Sequence, residues 1–175
     1  QRQMCIRDRG MQSSFFANAV AELLAMTEGE SELLVRRALA NSVMLSSDVS
    51  AGFDPLYANV FEKNNSAFLA HGVTFNKYTG SRGKSGSNDA NAEYIAALRK
   101  VMDDANVSYQ FAELGKVDAG GGGTIAYIMA KYGMNVIDSG VAVLNMHAPY
   151  EVSSKADIYE AVKGYLAFLN WNGKF

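Results

Sequence analysis

Residues able to do chemistry stand at the ends of short apolar or strand-like runs in this 175-residue chain. Asp48 follows residues 43–45 and two serines, and His147 follows residues 141–144. Lys77 ends the string FNK, and Asp118 precedes Gly120, Gly121, Gly122, Gly123 and Thr124. Open α/β sheets bind ligands beyond the carboxyl ends of their strands, so polar residues there are the first candidates for a site. A carboxylate oxygen and a neutral imidazole nitrogen are the usual partners of zinc at hydrolytic sites. Asp48 and His147 could therefore share a metal. Spacing alone does not promote them, because a loop-capping acid and a core histidine are the commoner readings.

The glycine run carries a competing chemistry. Gly121, Gly123 and Ala126 fit the spacing G-x-G-x-x-A, and Asp138 follows where a ribose-binding acid would stand in a dinucleotide fold. Asp118 argues against it, since a carboxylate beside that loop would repel a pyrophosphate. Four successive glycines also suit any close approach of backbone to a ligand. The string GSRGKSGS (80–87) is not a phosphate-binding P-loop, because the first glycine that pattern requires is Tyr78. It reads as a mobile loop whose Arg82 and Lys84 could attract an acid. His71 reads as a turn residue, the methionines as core filler, and no G-x-S-x-G elbow supports serine chemistry.

The elements that must position these residues alternate. Helical periodicity predicts helices over 13–26, a short one ending near 40, 90–102, 124–132 and 155–169. In the last of these, Ile158, Val162, Tyr165, Leu166 and Leu169 are expected to face inward. Strands are expected at 43–45, 73–79, 109–114, 136–137 and 141–144, with a long loop over 50–66. This order predicts an α/β fold, a central mostly parallel or mixed sheet flanked by helices. A formal net charge of −2 gives no sign of nucleic acid or anionic membrane as partner. No apolar run approaches the roughly 18 residues of a membrane span, and no secretory signal is expected. A single cysteine, Cys5, makes the reducing cytosol the expected compartment. Residues 1–9, QRQMCIRDR, fit nothing that follows; MCIRDR resembles a translated sequencing adapter, so the segment is expected to be a non-native artefact.

Four long strings decide between these chemistries: SSDVSAGFDPLY (46–57), FNKYTGSRGKSGSNDANAEY (75–94), AELGKVDAGGGGTIA (112–126) and VAVLNMHAPYEVSSKAD (141–157). In order and spacing they resemble the zinc aminopeptidase family of aspartyl aminopeptidase and vacuolar aminopeptidase I. The resemblance implies part of a three-layer zinc-peptidase-like catalytic domain, with two zinc ions per active site and a peptide as substrate. It maps metal ligands onto Asp48 and His147, and substrate-pocket roles onto Lys77, Asp118, Gly121, Gly122, Gly123 and Thr124. The family's other ligands and its general-base glutamate precede the segment that residues 10–24 resemble. Residues 10–175 are thus expected to be the C-terminal part of the catalytic domain, inactive alone, from a protein that assembles as a dodecamer. The aspartyl branch carries histidines where this chain has Ala51 and Asp54, whereas Lys77 and Arg82 would suit an acidic residue, so the preferred side chain stays open. Two rival readings remain: a nucleotide-binding module built on the glycine run, and a non-catalytic structural remnant.

Overall fold

The computed structural model describes residues 10–81 and 85–174. The nine N-terminal residues, Cys5 among them, and Arg82 and Lys84 lie outside the described residues. Helix α1 (Phe15–Thr27) and helix α2 (Glu32–Ala40) lead into strand β1 (Val43–Ser47), and α2 starts where Ser31 Oγ accepts the Leu34 N–H at 3.3 Å. Strand β2 (Ser50–Ala51) follows, then two 3-10 turns, Pro55–Val60 and Lys63–Asn65, inside the stretch expected to be loop.

The strand expected over 73–79 is two strands. Strand β3 (Val73–Asn76) stays in the main sheet, and after Lys77 the chain leaves it as β4 (Tyr78–Ser81). Strand β4 pairs antiparallel with β5 (Ser85–Asp89), so most of the expected loop 80–87 belongs to a hairpin. The sequence of β5, SGSND, has no apolar residue, so hydrophobic patterning could not reveal it. Its Asn88 is buried and donates from Nδ2 to the Val136 carbonyl at 2.9 Å.

Helix α3 (Ala92–Asp104), capped by Asn91, leads to strand β6 (Tyr109–Ala112). Helix α4 (Ala126–Ala130), strand β7 (Asn135–Gly140), strand β8 (Ala142–Leu144), strand β9 (Val152–Ser153) and helix α5 (Lys155–Asn170) complete the order.

Among the described residues the main sheet runs β1-β7-β3-β6. The β1–β7 and β3–β6 pairs are parallel and the β3–β7 pair antiparallel, so the expected α/β fold is present with a mixed sheet. Alternation along the strands divides the core. Val73, Phe75 and Ile137, with Val43 and Leu45, pack against Tyr94, Leu98 and Met102 of α3 and Ala161 of α5. Met44 and Val136, on the opposite face, pack against Leu39 of α2, Val20 of α1 and Met129 of α4. Helices therefore cover both faces in three layers. A second, smaller sheet, β2-β8-β9, continues from the end of β1 and β7.

Helix α5 is rotated from the expected orientation. Tyr165 packs on the core as expected, and its hydroxyl donates to the Ser139 carbonyl at 3.1 Å. Ile158, Val162 and Leu166 are about half exposed and Leu169 is 77% exposed, while Asp157, Ala161 and Gly164 are buried. Small residues set the face: a Cβ on Gly164 would come to 3.3 Å from Met102 Sδ, so the helix lies close against α3. Asp157 also fixes the rotation by accepting the Ala70 and Gly72 N–H groups, each at 2.8 Å, in the turn before β3. Hydrogen bonding and close approach outweigh bulk here. The expected consequence is measurable by urea unfolding. Asp157→Ala, which strands two backbone donors, costs more than about 2 kcal/mol, whereas Leu169→Lys changes stability by less than about 0.5 kcal/mol.

Candidate metal and substrate site

Asp48 continues β1 by one step, its N–H donating to the Ser139 carbonyl at 3.3 Å. Its own Oδ1 accepts the Val49 N–H at 2.9 Å, which turns the chain into β2. Such close packing of Asp48 on β7 needs a bare backbone opposite. That position is Gly140, where a Cβ would lie 1.8 Å from the Asp48 carbonyl oxygen.

His147 follows β8, which runs parallel to β2 in the register Ser50–Ala142 and Ala51–Val143. The turn holding it places Asn145 at φ 58° and His147 at φ 70°, left-handed values that non-glycine residues adopt only under constraint. The constraint is visible: the His147 N–H donates to Glu151 Oε1 at 2.6 Å, and the Ala148 N–H to the Asn145 carbonyl at 2.9 Å. Asp48 and His147 line one cavity of about 660 Å³. Gly121, Gly122, Gly123 and Thr124 form part of its wall, and Glu151 lines it too. Sequence-remote residues with metal-ligating chemistry are thereby brought together with four of the expected pocket residues.

Lys77 and Asp118 do not line this cavity. Lys77 makes an ion pair with Asp89 of β5 and lines a separate cavity with Arg99, Phe111 and Glu113. Asp118 is exposed in the turn leading to the glycines, at φ 67°. The glycine run is likewise not the tight strand-to-helix turn that dinucleotide binding requires. Strand β6 ends at Ala112, and the helix after the glycines has only 5 residues. Asp138 cannot meet a ribose, because it is fully buried.

Two residues of the site were not singled out by sequence for the part they play. Glu151 is an acid in a proline-containing turn, and only its place four residues after His147 hints at a role. Asp138 interrupts the apolar run of β7, and its carboxyl lies beneath the wall of the cavity. Thr124 Oγ1 donates to Asp138 Oδ2 at 2.7 Å. Burial pushes the Asp138 carboxyl above the usual carboxylate range; the Thr124 hydroxyl opposes the shift and the nearby Asp48 charge adds to it.

The family model described as aminopeptidase I zinc metalloprotease (M18) matches residues 6–169, and the chain belongs to this family of zinc metallopeptidases. The match begins inside the N-terminal nine residues. Over 161 residues the chain is 67% identical to the probable M18 family aminopeptidase 1 of Clostridium acetobutylicum, covering 92% of this chain and 35% of that protein. The crystal structure of aminopeptidase I from the same organism superposes with a TM-score of 0.81 at 66% identity, covering 93% of this chain and 34% of that one. An M18 aminopeptidase structure from Thermotoga maritima gives 0.86 at 43% identity, covering 91% and 36%. A yeast (Saccharomyces cerevisiae) mApe1 dodecamer, 22% identical with a TM-score of 0.69 over 92% of this chain and 34% of that one, shares the fold. The chain thus spans about a third of the length of the relatives it matches.

The close approach at Gly140 sets a further expectation. Gly140→Ala forces β1 off β7 and destabilises the chain by at least about 1–3 kcal/mol in urea unfolding. Gly122→Ala, whose Cβ would meet nothing within 4 Å, leaves stability within about 0.5 kcal/mol of the parent.

Proposed function

We propose that this chain is the C-terminal part of the catalytic domain of a zinc-dependent aminopeptidase, in which Asp48 and His147 hold metal. Residues 121–124 wall the peptide site. The observation that carries the reading is the convergence of Asp48 and His147, far apart in sequence, on one cavity. Its volume of about 660 Å³ is within the roughly 300–1,000 Å³ of small-ligand sites.

The donor chemistry fits zinc as far as it goes. Carboxylate and imidazole suit this ion, and Glu151 holds the strained turn that presents His147. Zinc sites commonly use four ligands, however. Among the described residues no group of three or more His, Cys, Asp or Glu is arranged to hold a metal. In this reading the remaining ligands and the general base are supplied by the upstream part of the catalytic domain, as the family resemblance implies. When bound, a zinc pair supplies an acidified water and a polarised peptide carbonyl.

This chain's own residues contribute orientation and exclusion of water. Val60, Phe61, Leu114 and Met146 give the cavity an apolar lining, and no lysine or arginine lines it among the described residues. Lys77 and Asp118, outside the lining, have no part in this reading. Among the described residues no helix is long and apolar enough to cross a membrane. For the whole protein the reading includes a cytosolic location and assembly into a dodecamer, as the family resemblance implies.

The test compares two forms. Alone, the 175-residue chain shows neither submicromolar zinc binding by calorimetry nor turnover of a leucyl or aspartyl chromogenic substrate. Placed in the corresponding stretch of the full-length Clostridium acetobutylicum relative, it gives a zinc-dependent aminopeptidase. In that chimera Asp48→Ala and His147→Ala each lower kcat/KM by more than ~100-fold, beyond the ~10–100-fold cost of losing a partner one shell out. A chimera that stays active with both residues replaced would sink the assignment.

A further inference from the structure

Asp138 is the one fully buried carboxyl beneath the cavity wall among the described residues, and its surroundings give it a specific task. It pairs in register with Ser46 of β1 on one side and Asn76 of β3 on the other, so it sits in the middle of the sheet. Asp48 is two residues beyond Ser46 and therefore points to the same face. Above that face lies Thr124, the last residue of the glycine wall.

The Thr124 hydroxyl is committed to the fold. A hydroxyl has one donor and two acceptor positions. Thr124 Oγ1 donates to the Asp138 carboxylate at 2.7 Å, which leaves it only acceptor capacity. It accepts the Ala126 N–H at the start of α4, at 3.3 Å. Thr79 Oγ1 of the β4–β5 hairpin lies 3.3 Å from it, and the Thr79 hydroxyl is also close to Asp138. One carboxylate thus polarises a hydroxyl that ties together β7, the hairpin, the glycine wall and the first turn of α4. No hydrogen bond of good geometry reaches the other oxygen, Asp138 Oδ1, although the Ser46 and Thr79 hydroxyls lie close enough to oppose the upward shift of its pKa. A buried acid with one unmet oxygen is costly to the fold. Its bonds converge on the cavity wall, where that cost has a use.

We propose that Asp138 is a positioning residue: it fixes Thr124, and through Thr124 the 121–124 wall against which the peptide binds. The Thr124 hydroxyl proton is then committed to Asp138 and not to substrate, and the wall meets the peptide through its glycine backbone. The role of the wall in peptide binding rests on the aminopeptidase reading; its anchoring by Asp138 does not.

The two are tested separately. In the 175-residue chain, 15N relaxation reports order of the Gly121, Gly122 and Gly123 amides without metal or substrate. These amides are expected to have order parameters near ~0.85 in the parent chain and to fall below ~0.6 in Thr124→Val and Asp138→Ala, while β7 stays near ~0.85. Thr124→Val is close to isosteric and keeps the experiment readable should Asp138→Ala not fold. In the full-length chimera either change raises KM at least ~5-fold with kcat altered less than ~2-fold and zinc content unchanged, because binding surface alone is lost. The double variant is no worse than the single ones, since both act through one bond. A purely structural acid would lower the active fraction, hence apparent kcat, and leave KM unchanged; that result overturns the proposal. So does a glycine wall that is equally ordered with and without the Thr124 hydroxyl. An inactive chimera with the predicted loss of order removes the aminopeptidase reading and leaves the anchoring intact.

Discussion

The parallel pairing of β1 with β7 is the contact on which the other features depend. Its register sets Met44, Ser46 and Asp48 on the same face as Val136, Asp138 and Gly140. The first members of each series pack beneath helices, and Asp48 reaches the cavity. At Gly140 there is no room for a Cβ against the Asp48 backbone. A shift of one residue would turn both carboxyls to the opposite face, toward α3 and α5. The same register continues into β2 and β8, and so governs where His147 emerges.

From that pairing the site is built by turns rather than by regular structure. The left-handed His147 is held by the Glu151 carboxylate and Asn145 by the Ala148 N–H, and the glycine wall is tied to β7 through Thr124. Each contribution places a group whose partners are remote in sequence. The apolar lining supplied by Val60, Phe61 and Met146 reduces water around whatever the carboxylate and imidazole hold. In the proposed enzyme this low-dielectric surrounding strengthens every charge interaction in the site.

Much of this was legible from the residues. The helices over 15–27, 32–40, 92–104 and 155–170 fall close to the apolar periodicities that predict them. The α/β order follows from alternating helical and strand patterns. Asp48 and His147 were found as strand-end residues and raised by the family strings, and they do share a cavity. Three features lay beyond such patterns. Strand β5 has no apolar alternation, because its buried residue is an asparagine satisfied by a backbone carbonyl. The inward face of α5 is chosen by Asp157, Ala161 and Gly164, which no hydrophobic periodicity marks. Lys77, a pocket residue by family resemblance, stands between β3 and β4, where its ammonium pairs with Asp89 outside the cavity lining. Asp138 is marked in the sequence only as a candidate ribose-binding acid behind the glycine run; its place in the site depends on a threonine that the fold alone brings to it.

The account stands or falls on whether Asp48 and His147 touch the same metal centre. The direct measurement is anomalous diffraction at the zinc edge from crystals of the full-length chimera carrying this chain. The expected map has zinc peaks about 2.0–2.2 Å from an Asp48 carboxylate oxygen and a His147 imidazole nitrogen, the ordinary bond lengths for these ligands. Zinc peaks in an active enzyme that lie away from both residues would contradict it.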